Sequence, residues 1–110
     1  GRVLVLPVVK QGVLESAVYP AEPASYRIFW ESTTPSGTSV KFQIRTATNR
    51  EFLNNTGFAG PDGTSQTFFE NPGEIFKLMS RGFIQYRAIL TTDDPAKTPY
   101  LKRVTISKVE

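Results

Sequence analysis

The chain has no cysteine and no histidine. Without cysteine there is no disulfide framework and no thiolate chemistry. The compartment stays open, because a secreted domain with a sufficient core does without disulfides. Without histidine the chain lacks the commonest general base and the commonest metal ligand. Long apolar runs are missing too, and no stretch approaches the ~18 apolar residues that span a bilayer. Nor is there a block of like charge. Thirteen basic and ten acidic residues leave a net charge of +3 spread along the chain, whereas a nucleic-acid footprint clusters its positive charge. The sequence also lacks a Gly-rich phosphate loop, a nucleophile elbow and metal-ligand spacing. Its glutamates at 15, 31, 51, 70 and 74 show no facing pair of the kind a glycosidase uses. A non-catalytic protein is expected, with no cofactor, no metal, no nucleic acid and no membrane span.

What is there reads as sheet. With 110 residues, 39% of them hydrophobic, the chain makes one domain able to bury a core without staples. Thr34-Pro35-Ser36-Gly37 is a turn: Pro35 presets φ and Gly37 accepts positive φ. After it, Val40, Phe42 and Ile44 alternate with Lys41, Gln43 and Arg45, the period of a half-buried strand. Ser25 to Ser32 alternates likewise, with Tyr26, Ile28 and Trp30 on one side. Further strands are read at Leu4 to Lys10, Val13 to Tyr19, Thr64 to Glu70, Phe83 to Thr92 and Tyr100 to Val109. The stretch from Thr48 to Gly63 reads as a long polar loop. A single short helix is predicted within Pro72 to Gly82, carried by Ile75, Phe76, Leu78 and Met79. The fold class is all-β: an antiparallel, jelly-roll-like β-sandwich of about seven to eight strands with turn signals between them. The expected core is Ile28, Trp30, Val40, Phe42, Ile44, Ile84, Tyr86 and Val104.

Residues 1 to 11 stand apart as an extended segment or edge strand, with the sandwich domain from 12 to 110. Val3, Leu4, Val5, Leu6, Val8 and Val9 make this segment too apolar for a free tail. An extended apolar strand has backbone groups as well as side chains to cover, and Pro7 suits an edge. These six residues are therefore candidates for contact with a partner protein, the alternative being pairing within their own domain. The chain reads as a mature form that follows a removed targeting segment, or as an excised domain.

A second set of candidates is polar. Arg27, Arg45 and Arg87, with Lys41, Gln43 and Gln85, lie on strands that can neighbour one another. They suit either a solvated sheet face or a grip on a hydroxyl-rich or anionic ligand. Tyr19 and Tyr100 lie near strand ends and are the aromatics best placed for a sugar to stack on. Asp62, Asp93 and Asp94 read as turn residues.

Several pieces in order carry a family resemblance: Gly12-Val13-Leu14-Glu15, Ile28-Phe29-Trp30, Thr34-Pro35-Ser36-Gly37-Thr38, Phe42-Gln43-Ile44-Arg45-Thr46-Ala47, Gly60-Pro61-Asp62-Gly63-Thr64, Phe83-Ile84-Gln85-Tyr86-Arg87-Ala88 and Leu90-Thr91-Thr92-Asp93-Asp94. Together they resemble a β-sandwich module recurrent in bacterial and archaeal cell-surface and secreted proteins, including ones with pilin-like beginnings. The match departs at Arg2 to Lys10 and at Glu74 to Ser80. The resemblance implies a non-catalytic module outside the cytoplasm, secreted or on the cell surface. Its place there is in an assembly such as a pilus or filament, with a protein partner such as a helical pilin. The alternative it leaves open is a carbohydrate-binding or adhesion module with a glycan as ligand.

Overall fold

The structure, a computed structural model, describes residues 10 to 94 and 96 to 109. Within them the chain forms β1 (Lys10–Glu15), β2 (Tyr19–Ala21), β3 (Ala24–Thr33), β4 (Thr38–Ala47), α1 (Arg50–Leu53), β5 (Glu74–Leu78), β6 (Gly82–Thr92) and β7 (Tyr100–Lys108). Every strand pairing is antiparallel. β4 occupies one side of β6 from Phe83 to Thr92. β1 and β2 therefore share the other side, β1 against Arg87 to Thr92 and β2 against Gly82 to Ile84. The second sheet has the order β5-β3-β7. From β2 onward, each step to the next strand passes from one sheet to the other. This is an antiparallel β-sandwich.

The period-two pattern builds the core. Tyr26, Ile28 and Trp30 of β3 face Val40, Phe42 and Ile44 of β4 and Ile84 and Ala88 of β6. The Trp30 ring lies 4.5 Å from that of Phe42, and Phe42 meets Tyr86 edge-on at 5.7 Å. Phe42 and Ile28 are wholly buried, a position in which each side chain contributes about 1.5–3 kcal/mol. Of the expected core, Tyr86 and Val104 are only half-buried, at its margin.

The predicted helix in Pro72 to Gly82 is not formed, because that segment is β5. Ile75, Phe76, Leu78 and Met79 have helical spacing, and as a strand only Phe76 and Leu78 turn inward while Ile75 and Met79 stay exposed. One isolated helical turn is marginal, whereas the edge of β3 offers backbone partners, pairing Tyr26 with Phe76 and Ala24 with Leu78. Phe76 then packs against Tyr26 at 5.7 Å and Leu78 is buried. The only helix among the described residues is α1, inside the expected polar loop, where it turns Leu53 into the protein. The strand expected at Thr64 to Glu70 reduces to one bridge, Phe69 with Phe42. The strand expected from Val13 to Tyr19 is split in two at Ser16 to Val18. The Leu4 to Lys10 strand lies outside the described residues except for Lys10.

Candidate functional site: an open side between the sheets

Among the described residues, the two sheets are closed on one side and open on the other. On the closed side, the free edge of β4 is covered by the chain from residue 58 to 69. Ile44 exchanges two backbone hydrogen bonds with Ala59, each 2.8 Å, and Phe42 does the same with Phe69 at 2.9 and 2.8 Å. Phe69 is buried there against Phe76. The opposite side has no such cover among the described residues. Its walls are β1 and β2 on one sheet and β7 on the other.

The side chains show the gap. Leu14 pairs with Ala88, an inward-facing core residue, so Leu14 faces inward as well. It is nevertheless 55% exposed. Tyr19, paired with core residue Ile84, is 47% exposed. Across from them, Leu101, Val104 and Ile106 point their apolar side chains at the core, yet no residue of β7 is fully buried. Between the walls lies a cleft of about 330 Å³ lined by Tyr19, Ala21, Ile84, Tyr86, Val104 and Ile106, among others. Burial at its floor, with the Tyr19 phenol beside it, raises the Tyr86 phenol above its usual range.

The break in the edge strand is built, not frayed. Ser16 donates its N–H to Tyr86 O at 3.0 Å, and its Oγ accepts from Tyr86 N at 3.0 Å. Gln85 Nε2 donates to Ser16 O at 2.8 Å. Beyond the break, Pro20 sits in β2, where an edge tolerates its missing N–H.

The polar candidates divide. Arg45, Arg87, Gln43 and Gln85 do come together, on the outer face of the β4–β6 sheet. There the loop after β4 lies over them. Phe58 is buried, with the Arg45 guanidinium 4.4 Å and that of Arg87 4.1 Å from its ring centre. Arg45 donates to Gln85 Oε1 and to Thr56 O, and Gln43 donates to Ser65 O and Thr67 O. Arg87 pairs with Glu15 at 3.0 Å. Each of these residues thus has a partner within the chain. Arg27 lies on the other sheet and donates to Gly73 O. Tyr100 is 66% exposed, but it pairs with Thr33 at the start of β7. It lies roughly 20 Å along that strand from Ile106, beside which Tyr19 sits. Asp62 closes a turn: its Oδ1 accepts from Thr64 N and Oγ1 and from Thr67 Oγ1, which hold its carboxyl below the usual range. The partner candidates Val3, Leu4, Val5, Leu6, Val8 and Val9 lie outside the described residues.

Sequence reasoning did not find the open side. Its signal was the alternation of Val104 and Ile106 in β7, with Leu101 returned to the same face by the register shift between Glu31 and Ser32, combined with an opposing edge strand interrupted at Ser16. Comparison with protein families, with curated proteins and with solved structures finds no match to this chain. Among the described residues no helix is long and apolar enough to cross a membrane.

Proposed function

We propose that this chain is a non-catalytic structural module that joins a protein partner by taking an apolar strand into the open side between β1/β2 and β7. The observation that carries the reading is the inward-facing Leu14 left more than half exposed opposite a strand with no buried residue. Both edges of the cleft also carry backbone donors and acceptors with no strand beside them among the described residues. Strand addition to such an edge supplies main-chain hydrogen bonds, and the pockets between alternate side chains supply selectivity. The setting, an extracytoplasmic assembly such as a pilus or other filament, is supported by the resemblance to surface and secreted sandwich modules. A glycan reading has less support. It needs an exposed aromatic beside free polar groups, and the arginines here are turned onto Phe58.

The chain has no cysteine, so Ile106→Cys gives a unique labelling site in the cleft. An environment-sensitive fluorophore there is expected to shift saturably on addition of a soluble peptide with alternating Val and Leu. The same peptide with proline at alternate positions should leave it unchanged, because proline cannot donate to a ladder. A label that responds to both peptides, or to neither, contradicts the proposal.

A further inference from the structure

Resting on that reading, we infer that the strand entering the cleft is Val3 to Val9 of a second copy of this chain, so that copies join head to tail. Three observations carry it. The first is fit. Val3 to Val9 is one apolar run broken only by Pro7. Extended, its seven residues span roughly 23 Å at about 3.3 Å each. The β7 wall, Tyr100–Lys108, is roughly 26 Å long, and opposite it the rows from Leu14 and Ala88 to Tyr19 and Ile84 span four residues of β6, roughly 13 Å, so about half of the run would lie between these rows and the rest along the β7 edge. The apolar side chains of the run match Leu14, Tyr86, Val104 and Ile106, which the described residues cover only in part.

The second is where β1 begins. Lys10 pairs with Thr92, at the end of β6 remote from the cleft's Ile84. From Ile84 to Thr92 is roughly 26 Å along the strand. β1 itself runs from the Thr92 end toward the break at Ser16. A straight continuation before Lys10 therefore leads away from the chain's own cleft.

The third is the absence of turn chemistry. To fold back beside β1, the chain needs a tight reversal immediately before Lys10. The residues available are Val8, Val9, Lys10 and Gln11. None is a Gly, Asn or Asp able to supply the positive φ of a two-residue hairpin, and two are β-branched. Lys10 and Gln11 are in any case already paired within β1. A second copy takes the run without any reversal. Because the donating segment and the receiving cleft are different surfaces, the contact is heterologous, and repeating it makes an open chain of subunits unless the rotation closes into a ring.

The test uses the 110-residue chain and two kinds of variant. A donor variant, Leu4→Glu with Leu6→Glu, spoils the run and leaves the cleft intact. An acceptor variant, Leu14→Lys, spoils the cleft at a side chain already exposed, so the fold tolerates it. Tyr19→Lys serves as a second acceptor variant on the same ground. Sedimentation velocity is run over about a hundredfold range of concentration, where mass action shifts an assembly equilibrium. The unaltered chain is expected to form oligomers that grow with concentration. Each variant alone should sediment as a monomer. An equimolar mixture of donor and acceptor variants should restore a dimer and nothing larger, since only one pairing remains. Oligomers that survive in every variant, or a mixture that stays monomeric, overturn the inference. So does a monomeric unaltered chain. In that case the fluorophore at position 106 separates the two levels. A saturable response to the alternating peptide leaves the cleft reading standing without the second copy, and no response removes both.

Discussion

At the scale of single residues, the most consequential contact is one that a sequence pattern does not display. Phe58 lies between two guanidinium groups over the outer face of a sheet. It covers part of the polar face, where Gln43 and Gln85 are buried and Arg45 and Arg87 half-buried, and fastens the loop after β4. Phe58→Ala is expected to cost about 3–5 kcal/mol in chemical denaturation, as a buried phenylalanine does. Phe58→Leu keeps most of the apolar burial and loses only the ring faces, so about 1–2 kcal/mol is expected. A Phe58→Leu loss close to zero would show that the cations add nothing. Asp62 gives a pH signature in the same loop. Its folded pKa is lowered by hydrogen bonds from Thr67 and Thr64, so the bonds are complete above its unfolded pKa, about 3.9. They are lost as pH falls through the lower folded value. The Thr64 amide resonance is expected to move only below that unfolded value, and Asp62→Asn should abolish the movement.

At the scale of elements, the sequence was most legible where alternation was long. β3 carries period-two alternation at Tyr26, Ile28 and Trp30, β4 at Val40, Phe42 and Ile44, and β6 at Ile84, Tyr86 and Ala88, and the strands formed where it predicts. Their inward residues are the buried core. Phe42→Ala should therefore lower stability by about 3–5 kcal/mol, and an unchanged denaturation midpoint would contradict this register. Short elements were not legible, because a few apolar residues fit either period. β5 formed because β3 had an unpaired edge, a tertiary fact invisible to local spacing. Phe52, Leu53 and Phe58 in a polar stretch were the available sign that this loop covers something. Gly82 marks another packing constraint. A Cβ there meets the backbone carbonyl of Ala47 on the neighbouring strand. Gly82→Ala is expected to destabilise by about 1–3 kcal/mol, whereas Gly12→Ala, with open space around it, should change stability little. Thermal melts of the two variants compare them directly.

At the scale of the molecule, the asymmetry between the two sides of the sandwich is the central feature. One side is closed by Ala59 and Phe69 bridging to β4. The other leaves Leu14, Tyr19 and the inner face of β7 half-covered. The residues that sequence reasoning marked for a partner, Val3, Leu4, Val5, Leu6, Val8 and Val9, lie outside the described residues. The polar residues it marked for a ligand are occupied by their own chain or scattered over two sheets. The open side was not legible, because it depends on which strands end up at the edges. Backbone hydrogen exchange, with and without the soluble Val/Leu peptide, is the most direct test of strand uptake at the open side. Slowed exchange is expected in β7 from Leu101 to Ile106 and along β1 and β2, with β5 unchanged. Protection that falls instead on β5, or on no strand edge, would contradict it.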